Sequence, residues 1–424
     1  VTYEEALAFL HSLKQFGFQP GLEATRRLAA AVGNPQERLR FIHVAGTNGK
    51  GSTCAMLESV YRAAGLKTGL YTSPHLVRFG ERIQVDRRPL PEAELARLVM
   101  TLRSRMPDGL EVTFFEFTTV VALMWFAEQP VDVVVWETGL GGRLDSTNIV
   151  TPLASLITNI GMDHMHVLGG TLGEIAAEKA GIIKPGVPVL TSADSAEALS
   201  VIEFKAREMD APLIQIGAPA LMAMKYPLSL LGPHQKINAA LAAATVRLLR
   251  PVLPVSDEQL ARGLATTIWA GRMQVVRRGG RTLVLDGAHN RDGIAALRRT
   301  LASEFEGAHP TLLVGMLRDK QWREMARELA PLALRIVTAP VSSPRTVTPS
   351  ELREAFQKSG AARAVKPCES IDEALKSVAP DPFVLITGSL YFIGEVMERL
   401  GIEPGGGGDE RSLNEWGGGT ARSA

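Results

Sequence analysis

The segment Phe41-Ile42-His43-Val44-Ala45-Gly46-Thr47-Asn48-Gly49-Lys50-Gly51-Ser52-Thr53 constrains this chain more than any other stretch. A short apolar run gives way to a glycine-rich turn with one lysine, and a helix-compatible run begins at Ser52. Strand, turn and helix in that order predict an α/β unit. Glycines let backbone N–H groups converge on an anion. The helix aims the positive end of its dipole at the same point, and Lys50 adds a full charge. The spelling departs from the usual G-x-x-x-x-G-K-[ST] pattern. Ala45 stands where the first glycine would be, and Gly51 separates Lys50 from Ser52. Turn chemistry alone does not call for a lysine between two glycines, so the segment reads as a phosphate-binding loop.

At 424 residues the chain is longer than one hydrophobic core usually supports, which predicts two domains. Its formal net charge of +1 gives no reason to expect a nucleic-acid partner or an anionic membrane surface. No apolar run approaches the ~20 residues that cross a bilayer. The stretch Val1 to Leu10 holds two glutamates and no basic residue, unlike a secretory signal. Cys54 and Cys368 lack Cys or His neighbours at metal-ligand spacing, so free thiols and a cytoplasmic location are expected.

Apolar β-branched runs alternate with helix-compatible stretches, the pattern of a mostly parallel sheet covered by helices. Strands are predicted at Phe41–Ala45, Val131–Trp136, Ala154–Thr158, Pro188–Thr191 and Leu213–Ile216, with helices at Ser52–Ala64, Glu116–Glu128, Leu172–Ala180 and His234–Leu249. A second alternation follows Gly271-Arg272, with strands at Met273–Val276, Thr282–Asp286, Thr311–Val314, Arg335–Thr338 and Pro382–Thr387, and helices near Arg291–Ala302 and Ser350–Gln357. The expected organisation is therefore an ATPase-like α/β domain over 1–271, a smaller Rossmann-like α/β domain over 272–402, and a Gly-rich tail over 403–424. The tail's composition predicts disorder.

Several further segments carry chemistry. Glu137 ends the run Val133-Val134-Val135-Trp136, at the sheet edge where ligands of open α/β sheets bind. A carboxylate there suits Mg²⁺ on nucleotide phosphates, because that ion takes oxygen ligands; a solvent-facing glutamate is the plain alternative. In Thr158-Asn159-Ile160-Gly161-Met162-Asp163-His164, His164 reads as a second metal ligand, a general base or a polar loop residue, and His166 stays unassigned. Lys179, read alone, is an exposed helical lysine. Asp286 and His289 follow another apolar strand in Leu283-Val284-Leu285-Asp286-Gly287-Ala288-His289, and Arg272 could reach a nucleotide phosphate with its fork-shaped cation. Gly315–Lys320 and Thr387–Ser389 are further strand-to-helix turns, equally readable as ordinary connections.

Taken together, these motifs resemble the folylpolyglutamate synthase family of the Mur ligase superfamily. The likeness runs roughly from Phe16 to Leu400 and includes Tyr71-Thr72-Ser73-Pro74-His75-Leu76-Val77-Arg78-Phe79 followed by Glu81-Arg82-Ile83. The resemblance implies that Thr47, Asn48, Gly49, Lys50, Gly51 and Ser52 bind ATP phosphates, with Asn238, Arg272 and Asp286 as further ATP contacts. It implies Mg²⁺ ligands at Ser73, Glu137 and His164, and a carbamylated lysine at Lys179. Thr113, Phe114, Phe115 and Glu116, with Leu144, Asp145 and Ser146, match segments that hold pteroate. His289 matches a histidine that assists the glutamate or the transition state. The implied partners are ATP, L-glutamate and a folate or dihydropteroate, acting on a monomer. The implied reaction is amide formation through an acyl phosphate, with closure of the second domain completing the site.

One departure stands out. In Gly17-Phe18-Gln19-Pro20-Gly21-Leu22-Glu23-Ala24, alanine takes the position of an arginine that bifunctional members tend to carry, which touches dihydropteroate use and not ligation itself. Three alternatives are weaker. A ligase for UDP-linked muropeptides places a UDP-binding domain before the loop, whereas 45 residues precede Gly46 here. A nucleotide-binding protein without catalysis would be expected to lack Lys50 or a metal ligand. A GTPase would need an Asn-Lys-x-Asp segment.

Overall fold

The structure, a computed structural model, describes residues 2–16, 21–222, 224–360, 364–402 and 410–414. They form two compact units. One takes the described residues of Val1–Ser229, Lys236–Thr267 and Gly408–Ala424, the other those of Leu230–Gln235 and Ile268–Gly407.

In the first unit the strands are β1 Phe41–Ala45, β2 Thr68–Tyr71, β3 Ile83–Val85, β4 Arg88–Pro89, β5 Val133–Glu137, β6 Ala154–Ile157, β7 Val189–Thr191 and β8 Leu213–Gln215. Their order is β4-β3-β2-β5-β1-β6-β7-β8. Strands from β2 to β8 pair in parallel, and β3 and β4 extend the edge antiparallel. Both faces of β1 and β5 are buried, which is why their sequences are nearly continuous apolar runs instead of alternating ones. Trp136 stacks on Tyr71 with ring centroids 4.4 Å apart and meets Phe41 edge-on at 5.4 Å. Those rings fill the core on one side of the sheet, each fully buried large side chain stabilising by ~1.5–3 kcal/mol. Registers Val44 with Glu137 and Ala45 with Ile157 bring the carboxyl ends of β5, β1 and β6 level. The phosphate-loop candidate, Glu137 and Thr158 therefore share one edge.

In the second unit, β9 Gln274–Arg278, β10 Arg281–Asp286, β11 Thr311–Val314, β12 Arg335–Thr338, β13 Val365–Pro367 and β14 Phe383–Thr387 are ordered β13-β12-β11-β14-β10-β9. Every neighbouring pair is parallel except the β9–β10 hairpin. Two mixed but mostly parallel sheets match the α/β class expected from sequence.

Differences lie at boundaries and edges. Glu137 is the last residue of β5 and not the first beyond it. The second unit starts at Ile268 and also takes Leu230–Gln235, a membership set by spatial contact that linear order does not display. Residues 410–414, expected to be disordered, form a 3-10 turn in the first unit, with Leu413 only 1% exposed in its core. One leucine and two polar side chains with dedicated partners order this short stretch despite its glycine-rich surroundings. Cys54 and Cys368 are free and buried. Among the described residues no helix is long and apolar enough to cross a membrane.

The helix Asp257–Ala265 lies on the helix that follows the loop, Lys50–Ala63, at Gly263. A methyl group on Gly263 would sit 2.4 Å from the Cα of Val60, so backbone has to move. Gly263→Ala is expected to lower unfolding free energy by about 2 kcal/mol, outweighing the ~1 kcal/mol helix-propensity gain; urea denaturation measures it.

Candidate functional site

Gly46 leaves β1 at φ +153°, and a Cβ there would stand 1.7 Å from Oγ1 of Thr158. Gly49, at φ +85°, opens the helix Lys50–Ala63, and a Cβ on it would press within 2.5 Å of the Asn238 amide oxygen. Only glycine lets the backbone pass both points. The segment after β6 supports the loop. Asn159 accepts from the amides of Thr47 and Asn48 at 2.9 and 2.6 Å, through its backbone and side-chain oxygens respectively. Thr158 Oγ1 donates to the Asn48 carbonyl at 2.6 Å. The Thr47 hydroxyl donates to the Gly161 carbonyl at 3.1 Å and accepts from the Gly161 amide at 3.0 Å. Sequence reasoning took only His164 from this segment. A Thr-Asn pair directly after the neighbouring apolar strand was the available signal.

The Gly46 carbonyl gathers two cations. Lys50 Nζ donates to it at 2.9 Å and to Thr47 O at 3.4 Å, and Lys179 Nζ donates to it at 3.0 Å. Lys179 is 3% exposed, which corrects its reading as an exposed lysine: the helix Leu172–Ala180 turns it inward onto the loop. Burial, and then the charge of Lys50, pull its pKa down to about 7, with Asp163 opposing. Its amine is thus substantially neutral near neutral pH.

Glu137 is buried, and its Oε2 accepts from the Ser73 amide at 3.0 Å. His164 begins a short helical turn in the left-handed region, φ 51°, with Asp163 Oδ1 accepting from its amide at 2.8 Å. Among the described residues no three His, Cys, Asp or Glu side chains form a metal cluster. The carboxylate of Glu137, beside Ser73, supplies the oxygen chemistry of Mg²⁺, which usually takes one or two protein oxygens together with substrate phosphates and waters.

The pteroate candidates divide. Thr113 and Glu116 form a capping box: Thr113 Oγ1 accepts from the Glu116 amide at 3.2 Å, and Glu116 Oε2 accepts from the Thr113 amide at 2.8 Å. Phe114 and Phe115 are half-buried rings at that helix start, suited to stacking on a flat ligand. Asp145 is buried, which raises its pKa. It accepts from Leu140 N at 2.8 Å, Thr147 N at 3.0 Å and the Thr147 hydroxyl at 2.5 Å. His43, buried on β1, meets that hydroxyl with Nε2 at 3.0 Å, a contact the sequence did not reveal. Ser146 Oγ lies 2.9 Å from Thr119 Oγ1, and Leu144 is half-buried. Ala24 sits in the helix Glu23–Ala31, packed on the core, while residues 17–20 of its motif lie outside the described residues.

In the second unit Asp286, at the end of β10, accepts from the amides of Met273 and Ala288 at 2.9 and 3.0 Å. His289 Nδ1–H donates to the Gly287 carbonyl at 2.7 Å, so Nδ1 carries a proton. Arg272 Nη1 donates to Gly271 O at 3.4 Å. His234, half-buried and near Asp286, has its pKa lowered by burial first. Arg272, Asp286 and His289 thus gather at the carboxyl end of β10.

A glycine-cradled loop with converging lysines, beside a parallel sheet's carboxyl edge, defines a nucleotide-dependent ligase of the Mur type. Residues 44–194 match the Mur ligase middle domain and residues 271–390 the Mur ligase glutamate ligase domain. The chain is 37% identical to the dihydrofolate synthase/folylpolyglutamate synthase of Bacillus subtilis, over 94% of this chain and 99% of that one. It is 34% identical to the folylpolyglutamate synthase of Lacticaseibacillus casei, over 94% and 99%. A solved complex of that enzyme type with AMPPCP superposes with a TM-score of 0.81 at 31% identity, covering 94% of this chain and all of the other. E. coli FolC with DHPP and ADP gives 0.83 at 31%, covering 95% and 98%. The chain belongs to the folylpolyglutamate synthase/dihydrofolate synthase family.

Because the pKa of Lys179 lies near 7 folded and near 10.5 unfolded, the unfolded chain holds the extra proton between those values. Stability then rises with pH across that window. Lys179→Met is expected to remove this rise, roughly 1 kcal/mol for each pH unit, seen by comparing both chains' urea unfolding at pH 7 and 9 in CO₂-free buffer.

Proposed function

We propose that the chain is an ATP-dependent amide ligase that adds L-glutamate to a folate. The observation that carries this reading is the Gly46–Ser52 loop with Lys50 and Lys179 converging on one carbonyl, level with Glu137. A substrate carboxylate oxygen attacks the γ-phosphorus of ATP, forming an acyl phosphate and releasing ADP. The glutamate amino group then attacks the acyl carbon, loses a proton, and expels phosphate. Phosphoryl transfer needs in-line placement and charge neutralisation more than covalent help. Lys50 and the amides of the loop serve the phosphates, with Asn238, Arg272 and Asp286 as further nucleotide contacts. Glu137, Ser73 and His164 would hold Mg²⁺, which when bound supplies additional positive charge at the phosphates. Lys50 also neutralises the tetrahedral oxyanion of the second step. His289 would assist the glutamate or the transition state.

Lys179 is the residue we assign to carbamylation. Its neutral amine attacks CO₂, loses a proton, and becomes an anionic carbamate, which would reverse the local charge beside Lys50. Phe114 and Phe115 would stack on the pteroate rings, with Leu144, Asp145 and Ser146 at their edge. Thr113 and Glu116 shape that wall through their capping box. The protein acts as a monomer in the cytoplasm.

Family members bear the folylpolyglutamate synthase name alone or paired with dihydrofolate synthase. Ala24 favours activity on folates over dihydropteroate. The deciding assay is ATP-dependent incorporation of labelled L-glutamate, run in parallel with dihydropteroate and a reduced folate monoglutamate. Incorporation with folate is expected, and none with either substrate would refute the ligase reading. Lys50→Ala and Glu137→Ala are expected to lower turnover by at least ~10²–10³-fold with unchanged circular dichroism. Near-normal turnover in either would remove that residue from the site.

A further inference from the structure

We infer that residues 410–414 are a strap that positions the loop from Ser73 to Arg82, and through it Ser73 and the Phe114 ring. Glu410, Leu413 and Asn414 are its positioning residues. The inference rests on the ligase reading of Ser73 and Phe114.

The loop leaves β2 at Thr72, passes Ser73 beside Glu137, and returns to β3 through Arg82. Its mouth is closed by the Thr72 amide on the Arg82 carbonyl at 3.0 Å. Inside, Glu81 accepts from the amides of Leu76, Val77 and Arg78 at 2.7, 2.9 and 2.6 Å. His75 and Arg82 are each 3% exposed. A buried guanidinium and imidazole are costly without partners, and the strap supplies several of theirs.

The hydrogen bonds link the loop and the turn reciprocally. Arg82 Nε donates to His75 Nδ1 at 2.8 Å, so His75 is neutral with its proton on Nε2. That Nε2–H donates to the Glu410 carbonyl at 2.9 Å. Arg82 Nη2 donates to the Asn414 amide oxygen, and Asn414 Nδ2 donates to the His75 carbonyl at 2.9 Å. Glu410 Oε2 accepts from the Phe79 amide at 2.6 Å. Leu413 anchors the turn in the apolar core. Side chains at both ends of the turn thus address the loop's backbone as well as its side chains, a match that chance contact of a tail does not supply.

The load reaches the candidate ligand wall. The Arg82 guanidinium lies 5.4 Å from the centroid of the Phe114 ring, and Phe79 meets that ring edge-on at 6.1 Å. With Arg82 and Phe79 held from behind, Phe114 has a fixed backing, and Ser73 is fixed at the loop's other end.

The test uses full-length chains. Asn414→Leu removes both amide contacts, and Glu410→Ala removes the acceptor for Phe79. Glu410→Gln keeps an acceptor oxygen and serves as the conservative control. In the first two, amide hydrogen exchange across residues 76–79 is expected to quicken at least tenfold, with the helix Lys50–Ala63 unchanged. KM for the folate and the half-saturating Mg²⁺ concentration are expected to rise at least fivefold, with KM for L-glutamate within twofold of wild type. Glu410→Gln should restore both readouts. Unchanged exchange in the loop, or a fall in kcat with both folate and Mg²⁺ dependence unmoved, would overturn the strap. A wild-type chain that incorporates no glutamate would refute the ligase reading separately, and loop exchange would then decide the strap alone.

Discussion

The carbonyl oxygen of Gly46 is the point on which the catalytic unit is built. It belongs to the residue directly after β1, accepts both Lys50 and Lys179, and lies where the Thr158 side chain leaves no room for a Cβ. Two ammonium groups on one oxygen would repel. Burial and that repulsion resolve the conflict by driving Lys179 toward its neutral form. One peptide unit thereby couples β1, β6 and the helix Leu172–Ala180. The shape of the loop follows from this coupling: the Asn48 carbonyl and the amides of Thr47 and Asn48 are fastened to Thr158 and Asn159, which holds the start of the loop against the segment after β6.

The central strands were legible in the sequence because parallel strands buried on both faces are written as unbroken apolar runs. Phe41–Ala45, Thr311–Val314 and Arg335–Thr338 have the predicted bounds. Other strands carry no such signature: Thr68–Tyr71 contains a glycine, and a glutamine interrupts Ile83–Val85 as a lysine does Val365–Pro367. The loop, Glu137 and Asp286 could be found because chemistry at a strand's end needs only local sequence. Lys179 could not, since its burial depends on which face of a helix meets a distant turn. His43 was hidden for the opposite reason: a histidine inside an apolar strand reads as part of the strand, and its partner Thr147 lies 104 residues away.

The capping box at Thr113 and Glu116 shows how one motif can serve two levels of structure. Threonine and glutamate at that spacing start a helix in any protein. Here the helix they start carries Phe114 and Phe115 in its first turn, so the signal that sets the helix boundary also sets where two half-buried rings project. Similarly, Asp145 accepts from three groups of its own turn and by doing so fixes the backbone beside it, before any ligand is considered.

The Ser73–Arg82 loop and the residues that hold it are separated by more than 330 positions, as in the pairing of Phe79 with Glu410. A polypeptide emerging from the ribosome makes its amino-terminal portion first, and domains fold as units during synthesis. The phosphate loop and most of its sheet can form early, but this loop lacks Glu410 and Asn414 until the entire second unit has been made. The order of synthesis thus leaves this loop without its backing while the second unit is being made, and the support arrives only when Glu410 and Asn414 do.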